Sequence, residues 1–345
     1  MIRKNRNIYL DLFRYVLVFF VISIHFNNGS KFLPIFRLAV PMFFMMSGFY
    51  NSTQDRVKQK TKNIKLIKTS LKYLIIGFAI YFVYDLLNLF VYKTHINFAH
   101  YFTYYSPCFI TRDFILLNLP ITSGYHLWFL IALFVVAIMH FCACELKLEK
   151  WYPFLIPILL LVPIGLGGYF HLIADYNIPL ILTRNAAFTG FPCFLVGYLL
   201  GKNRDKEWNT PNKILFFILS ILTVGLSMVE GLIIETEIYI SSILASIFLI
   251  LFLSGLRTKR NKFYNFYYKW IGPDSAFYIY ILHIAIGDIL IKPGMNDFFS
   301  CILVFIISFM LYEIIHIIVK SIELNKHKMT SNEYVVNVEN KLNDQ

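Results

Sequence analysis

Apolar runs long enough to cross a hydrocarbon layer recur from one end of this chain to the other, at 8–27, 34–50, 71–92, 125–144, 152–169, 184–201, 213–230, 236–255, 276–291 and 297–319. A bilayer core about 30 Å thick needs about 20 apolar residues of helix, because backbone surrounded by lipid must satisfy its own N–H and C=O groups. The runs consume nearly all of the 345 residues and leave no room for a soluble domain. The expected fold is all-α and integral to a membrane, a bundle of about ten transmembrane helices within 1–324. A polar tail rich in Asn and Lys, 325–345, is expected to be loosely ordered. Composition agrees, since 58% hydrophobic and 15% charged residues is a balance that soluble domains do not have.

The net charge of +12 is explained by topology rather than by nucleic acid, and no nucleic-acid partner is expected. Most of the 32 basic residues fall in alternate connections: Arg3, Lys4 and Arg6, the loop 56–72, Lys147 and Lys150, Lys202 to Lys206, Arg257 to Lys262, and the tail. The opposite connections hold Lys31, Arg37, Lys93, Arg112, Arg184 and Lys292, with Glu230, Glu235 and Glu237 together in one short loop. The alternation places both termini on the cytoplasmic side. The first run is too long for a signal peptide and reads as a retained span. The five cysteines have neither zinc nor disulfide spacing; they are expected to pack as small apolar residues, and no metal site is expected.

Charged groups inside a lipid-length helix need a reason. The first run contains Asp11, Arg14 and His25 in DLFRYVLVFFVISIH. At about 100° per residue, the eleven-residue step from Arg14 to His25 is about three turns, so both leave one face roughly 16 Å apart along the axis. Asp11 lies one turn before Arg14, where an ion pair can form. That pair could be purely architectural, as His126 beside Trp128 could be part of an interfacial aromatic belt. With the topology above, Asp11, Arg14, Glu313 and His316 lie toward the cytoplasm. His25, Arg37, Asp85, His126, Arg184 and Asp288 lie toward the outside, with His283 nearer the middle.

Four stretches together resemble a known family. YLDLFR with ten residues between its arginine and His25, FRLAVPMFFMMSGFY at 36–50, HLWFL at 126–130, and the pair RNAAFTGFPCFLVGYLLGK at 184–202 and YIYILH at 278–283 are similar, in chain order, to the helices of the acyltransferase-3 family. These integral-membrane enzymes acylate bacterial cell-surface polysaccharides. One departure is that Lys65 and Lys68 occupy the places of two family arginines, so the bidentate fork of arginine is replaced by point charges.

The resemblance implies an O-acyltransferase of the bacterial cytoplasmic (inner) membrane. It would move an acetyl or other short acyl group from cytoplasmic acyl-CoA to a hydroxyl of a capsule, exopolysaccharide or O-antigen type carbohydrate, with no tightly bound cofactor. His25 is expected to be the general base, with Arg14 and Asp11 beside it in the catalytic machinery. Arg14 and the basic loop 56–72 are expected to attract the donor's phosphates, with Arg56, Lys65 and Lys68 holding the donor, and Arg37, His126, Trp128, Arg184 and His283 the acceptor. A polysaccharide or lipid-linked sugar transporter is the rival reading, although the paired broken helices or inverted repeats of such folds are not evident.

Overall fold

The computed structural model describes residues 7–27, 29–92, 109–172, 179–203, 212–256, 258, 261–272, 274–291 and 297–343, with backbone alone from 323 onward. Arg3, Lys4, Arg6, Lys93, Cys108, Arg204, Lys206, Arg257, Lys259, Arg260 and Lys292 lie outside the described residues.

The described residues are helical, with no strand among them. The longer helices are α1 (Ile8–Phe26), α2 (Ala39–Asn51), α3 (Arg56–Tyr92), α4 (Trp128–Glu145), α5 (Tyr152–Gly165), α6 (Phe191–Lys202), α7 (Lys213–Ile233), α8 (Ile240–Gly255), α9 (Ser275–Leu290) and α10 (Phe298–Asn343). Each expected span overlaps one of them. Seven helical stretches are long and apolar enough to cross a membrane, while those containing α6, α8 and α9 are shorter. The chain is a multi-pass helical membrane protein.

Two elements differ from expectation. The basic stretch 56–72 is not a loop but the first turns of α3, which runs for 37 residues. Its Lys, Gln, Leu and Ile residues favour helix, and no Pro or Gly interrupts it before Gly77. Asp55 starts it by accepting the N–H groups of Val57 (3.0 Å) and Lys58 (3.1 Å). Those bonds, that of Lys58 foremost, hold the Asp55 carboxyl below the usual carboxylate range. At the other end of the chain, α10 continues through the polar tail to Asn343. No Gly or Pro follows Gly294, so nothing local ends the helix. Among the cysteines, Cys144, Cys193 and Cys301 are buried as expected, whereas Cys142 is exposed.

Helix α1 is the axis of the bundle. The Asn7 side chain caps it by accepting from Tyr9 N (2.9 Å) and Leu10 N (3.3 Å). The same amide donates to Leu253 O at the end of α8 (3.0 Å), which fixes where α1 begins. Around α1 pack α2, α8, α9 and α10. Close approach of α2 and α6 depends on Gly48, Gly197 and Gly201, since a Cβ on Gly197 would overlap the Met45 carbonyl. The four-residue spacing of Gly197 and Gly201 places both on one face, as membrane helix pairs in close contact require. Gly287 of α9 similarly admits the Phe26 ring at the end of α1, bringing His25 and His283 together.

Candidate active site

At the N-terminal end of α1, Asp11 is fully buried and pairs with Arg14 (Oδ1 to Nη1, 3.2 Å). Tyr268 donates to the other Asp11 oxygen at 2.6 Å, so the carboxylate is fixed from two sides. The Arg14 guanidinium also lies over the Tyr50 ring, 5.0 Å from its centroid. Locked in this way, Arg14 faces a cavity of about 880 Å3. Lys58, Lys62, Lys65 and Lys72 of α3 line it, with Asn51, Tyr73, Asp274 and Phe277 among the other walls. Lys62 is engaged with the carbonyls of Tyr50 (3.1 Å) and Ser52 (2.5 Å) at the end of α2. The cavity therefore gathers one guanidinium and four ammonium groups against one carboxylate, Asp274, a balance that favours polyanions.

At the opposite end of α1, His25 meets two more imidazoles. Its ring lies 5.4 Å from that of His283 and 6.4 Å from that of His126, which are themselves 4.8 Å apart, centroid to centroid. The Tyr125 hydroxyl is 3.4 Å from His25 Nδ1. His126 is set by the turn Tyr125–Leu127 ahead of α4, which Asp85 steadies by accepting Ser123 N–H (3.2 Å). His283 is carried by α9.

The hydrogen bonds assign tautomers. A carbonyl only accepts, so His126 Nε2 donates to Ile281 O (3.3 Å) and His283 Nδ1 donates to Tyr280 O (2.5 Å). In the neutral rings the opposite nitrogens, His126 Nδ1 and His283 Nε2, keep lone pairs. Both are buried without a hydrogen-bond partner among the described residues. Each such orphan costs about 1–3 kcal/mol unless a hydroxyl arrives to satisfy it. Tyr81 braces the pair of helices by donating to Ile281 O (3.0 Å) and accepting from Ala285 N–H (3.1 Å). Tyr280 donates to the His126 carbonyl.

Beside the imidazoles, three connections converge. Arg37 and Arg184 both pair with Glu237, the latter at 3.5 Å, and Arg184 lies over the Trp128 ring at 5.0 Å. Both guanidiniums are within electrostatic reach of His25.

A family model described as an acyltransferase domain, that of the acyltransferase-3 family, matches residues 7–313. The match takes in α1 to α9 and the first part of α10. The chain belongs to the acyltransferase-3 family. No curated protein and no solved structure matches it. The acyltransferase thus has its polar groups sorted into two sites joined by α1, and membrane acyl transfer is its reaction class.

Most of the expected site residues are brought together, in two groups. Arg14 and Lys65 line the cavity; His25, His126 and His283 form one cluster, bordered by Arg37, Trp128 and Arg184. Arg56 and Lys68 are outside the cavity wall. Helical phase is the reason: at about 100° per residue Arg56 points to the far side of α3, and Lys68 falls about 60° from Lys65 on the side away from Lys62, about 120° from that residue. Asp11 is also outside the wall and acts on the cavity only through Arg14. The expectations did not single out Lys58, Lys62, Lys72, Asp274, Tyr73, Tyr125, Tyr280 or Glu237. Lys58 and Lys72 were visible as cations in phase with Lys65, Lys62 as one about 60° from it on the side opposite Lys68, and Glu237 as one of an acidic trio in a short loop.

Proposed function

We propose that this chain is a ten-span O-acyltransferase of the bacterial cytoplasmic membrane with both termini in the cytoplasm. It moves an acetyl or other short acyl group from acyl-coenzyme A to a hydroxyl of a cell-surface or lipid-linked carbohydrate. The observation that carries the reading is that one helix joins a cation-lined cavity at Arg14 to an imidazole cluster at His25. The phosphates of coenzyme A suit the cavity, and its pantetheine arm is long enough to span the roughly 16 Å between the two residues.

In this reading other hydroxyls of the acceptor sugar donate to the free lone pairs of His126 Nδ1 and His283 Nε2, which aims the reacting hydroxyl at His25. With Nδ1–H donated to the Tyr125 hydroxyl, His25 Nε2 keeps the lone pair that a base requires. His25 takes the hydroxyl proton as the oxygen attacks the thioester carbonyl. The tetrahedral intermediate then expels the coenzyme A thiolate, which recovers the proton from the imidazolium. Arg37 and Arg184 supply positive potential near the developing oxyanion.

Mass spectrometry of surface glycan from a wild-type and a deletion strain tests the function. The proposal expects loss of one acyl mass from an otherwise intact glycan. Loss of the whole glycan would instead indicate a transporter.

A further inference from the structure

Two cations share one anion at the His25 end. The Arg37 side chain is nine-tenths buried, yet its Nε has no hydrogen-bond partner among the described residues. Its other contact is the carboxylate of Glu237, which Arg184 also approaches. The neighbouring acids do not complete the balance. Glu230 accepts the N–H groups of Ile240 and Ser241 (3.1 Å each) at the start of α8, and Glu235 is exposed. The two guanidiniums therefore share a single ion-pair partner among the described residues, beside the base.

We infer that Arg37 and Arg184 form a carboxylate subsite for the acceptor, occupied in the free enzyme by Glu237, so that the preferred acceptor is a sugar of the uronic-acid class. The inference rests on the carbohydrate-acceptor reading above. Its ligand class follows from what the fork already holds: a planar carboxylate engaged by guanidinium groups. Glu237 suits the part of a displaceable occupant, since it is a quarter exposed and sits on the short connection between α7 and α8. The Trp128 ring backs the Arg184 guanidinium, 5.0 Å from its centroid. Displacement by a sugar carboxylate keeps both arginines paired and places the ring hydroxyls next to His25, His126 and His283. Specificity arises because a neutral sugar must leave Glu237 in place or strand the buried Arg37 and the partly exposed Arg184.

The test is binding of two matched probes, methyl glucuronide and methyl glucoside, to the full-length protein in lipid nanodiscs. The glucuronide is expected to bind at least about tenfold tighter, with the preference lost in Arg37→Gln and Arg184→Gln. Glu237→Gln is expected to raise glucuronide affinity by removing the internal competitor, whereas a merely structural Glu237 would lower it. Equal binding of the two probes, binding of neither, or preference for glucose 1-phosphate over the glucuronide would overturn the inference. Acyl transfer to the glucoside without carboxylate preference would remove this inference and leave the enzyme reading intact. Glucuronide preference without any acyl transfer would do the reverse.

Discussion

Arg14 and His25 leave the same face of α1 at its two ends, the first on a lysine-lined cavity and the second against His126 and His283. A single rigid helix thus sets the distance between the group that faces a polyanion and the group that faces a hydroxyl. The thioester must bridge the interval, and changes at one end should alter one substrate's kinetics without the other's.

Donor binding is the first consequence. Substituting Gln for Lys58, Lys65 or Lys72 should raise KM for acyl-CoA several-fold, each removing roughly 1 kcal/mol of charge interaction, and the KM should climb with salt. Lys68→Gln and Arg56→Gln should remain near wild type, because those side chains lie off the cavity face. Steady-state kinetics at two ionic strengths would check both halves.

Replacing Asp11 by Asn leaves the Arg14 charge buried and without its carboxylate. The expected cost is about 3–5 kcal/mol in stability, against about 1 kcal/mol for Tyr268→Phe, which removes only a hydrogen bond. Denaturation midpoints of the two variants in one detergent give the comparison. Similar losses for both would show that the ion pair is not what holds Arg14.

The small-residue contact of α2 and α6 predicts that Gly197→Leu prevents folding. The new side chain would occupy the Met45 carbonyl, where only backbone on both sides can yield. Gly225→Ala, at a position with open space around it, should be tolerated. Yield of monodisperse protein after extraction distinguishes the two.

His126→Ala and His283→Ala should raise the acceptor KM more than the donor KM, and asparagine at either position should recover part of the loss by restoring a hydrogen-bond acceptor. The prediction follows from the two unpartnered ring nitrogens. Initial rates with each substrate varied in turn would reveal whether the effect is on the acceptor side.

Much of this layout was legible in the chain because hydrocarbon makes charge conspicuous. Asp11, Arg14 and His25 stood out in an apolar run, and their helical phase alone put Arg14 and His25 on one face. The span positions followed from length. The basic stretch was misjudged for a physical reason: charge density marks the end of hydrocarbon, not the end of helix, and α3 simply continues into water. Reading 56–72 as helix would have separated Lys65 from Lys68 and Arg56 by phase. Glu237 was visible as a charge but not as a partner. Its pairing with Arg37 and Arg184 joins loops about 200 and 50 residues away in sequence, a relation that no local pattern encodes.

The role of His25 is tested most directly by acyl transfer from labelled acetyl-CoA to membrane-associated carbohydrate, comparing wild type with His25→Ala at matched protein levels. The account predicts that the variant folds, inserts and still retains donor binding at the Arg14 cavity, while transfer falls by at least about a hundredfold, the scale of losing a general base. Transfer at the wild-type rate from a properly folded His25→Ala protein would contradict it.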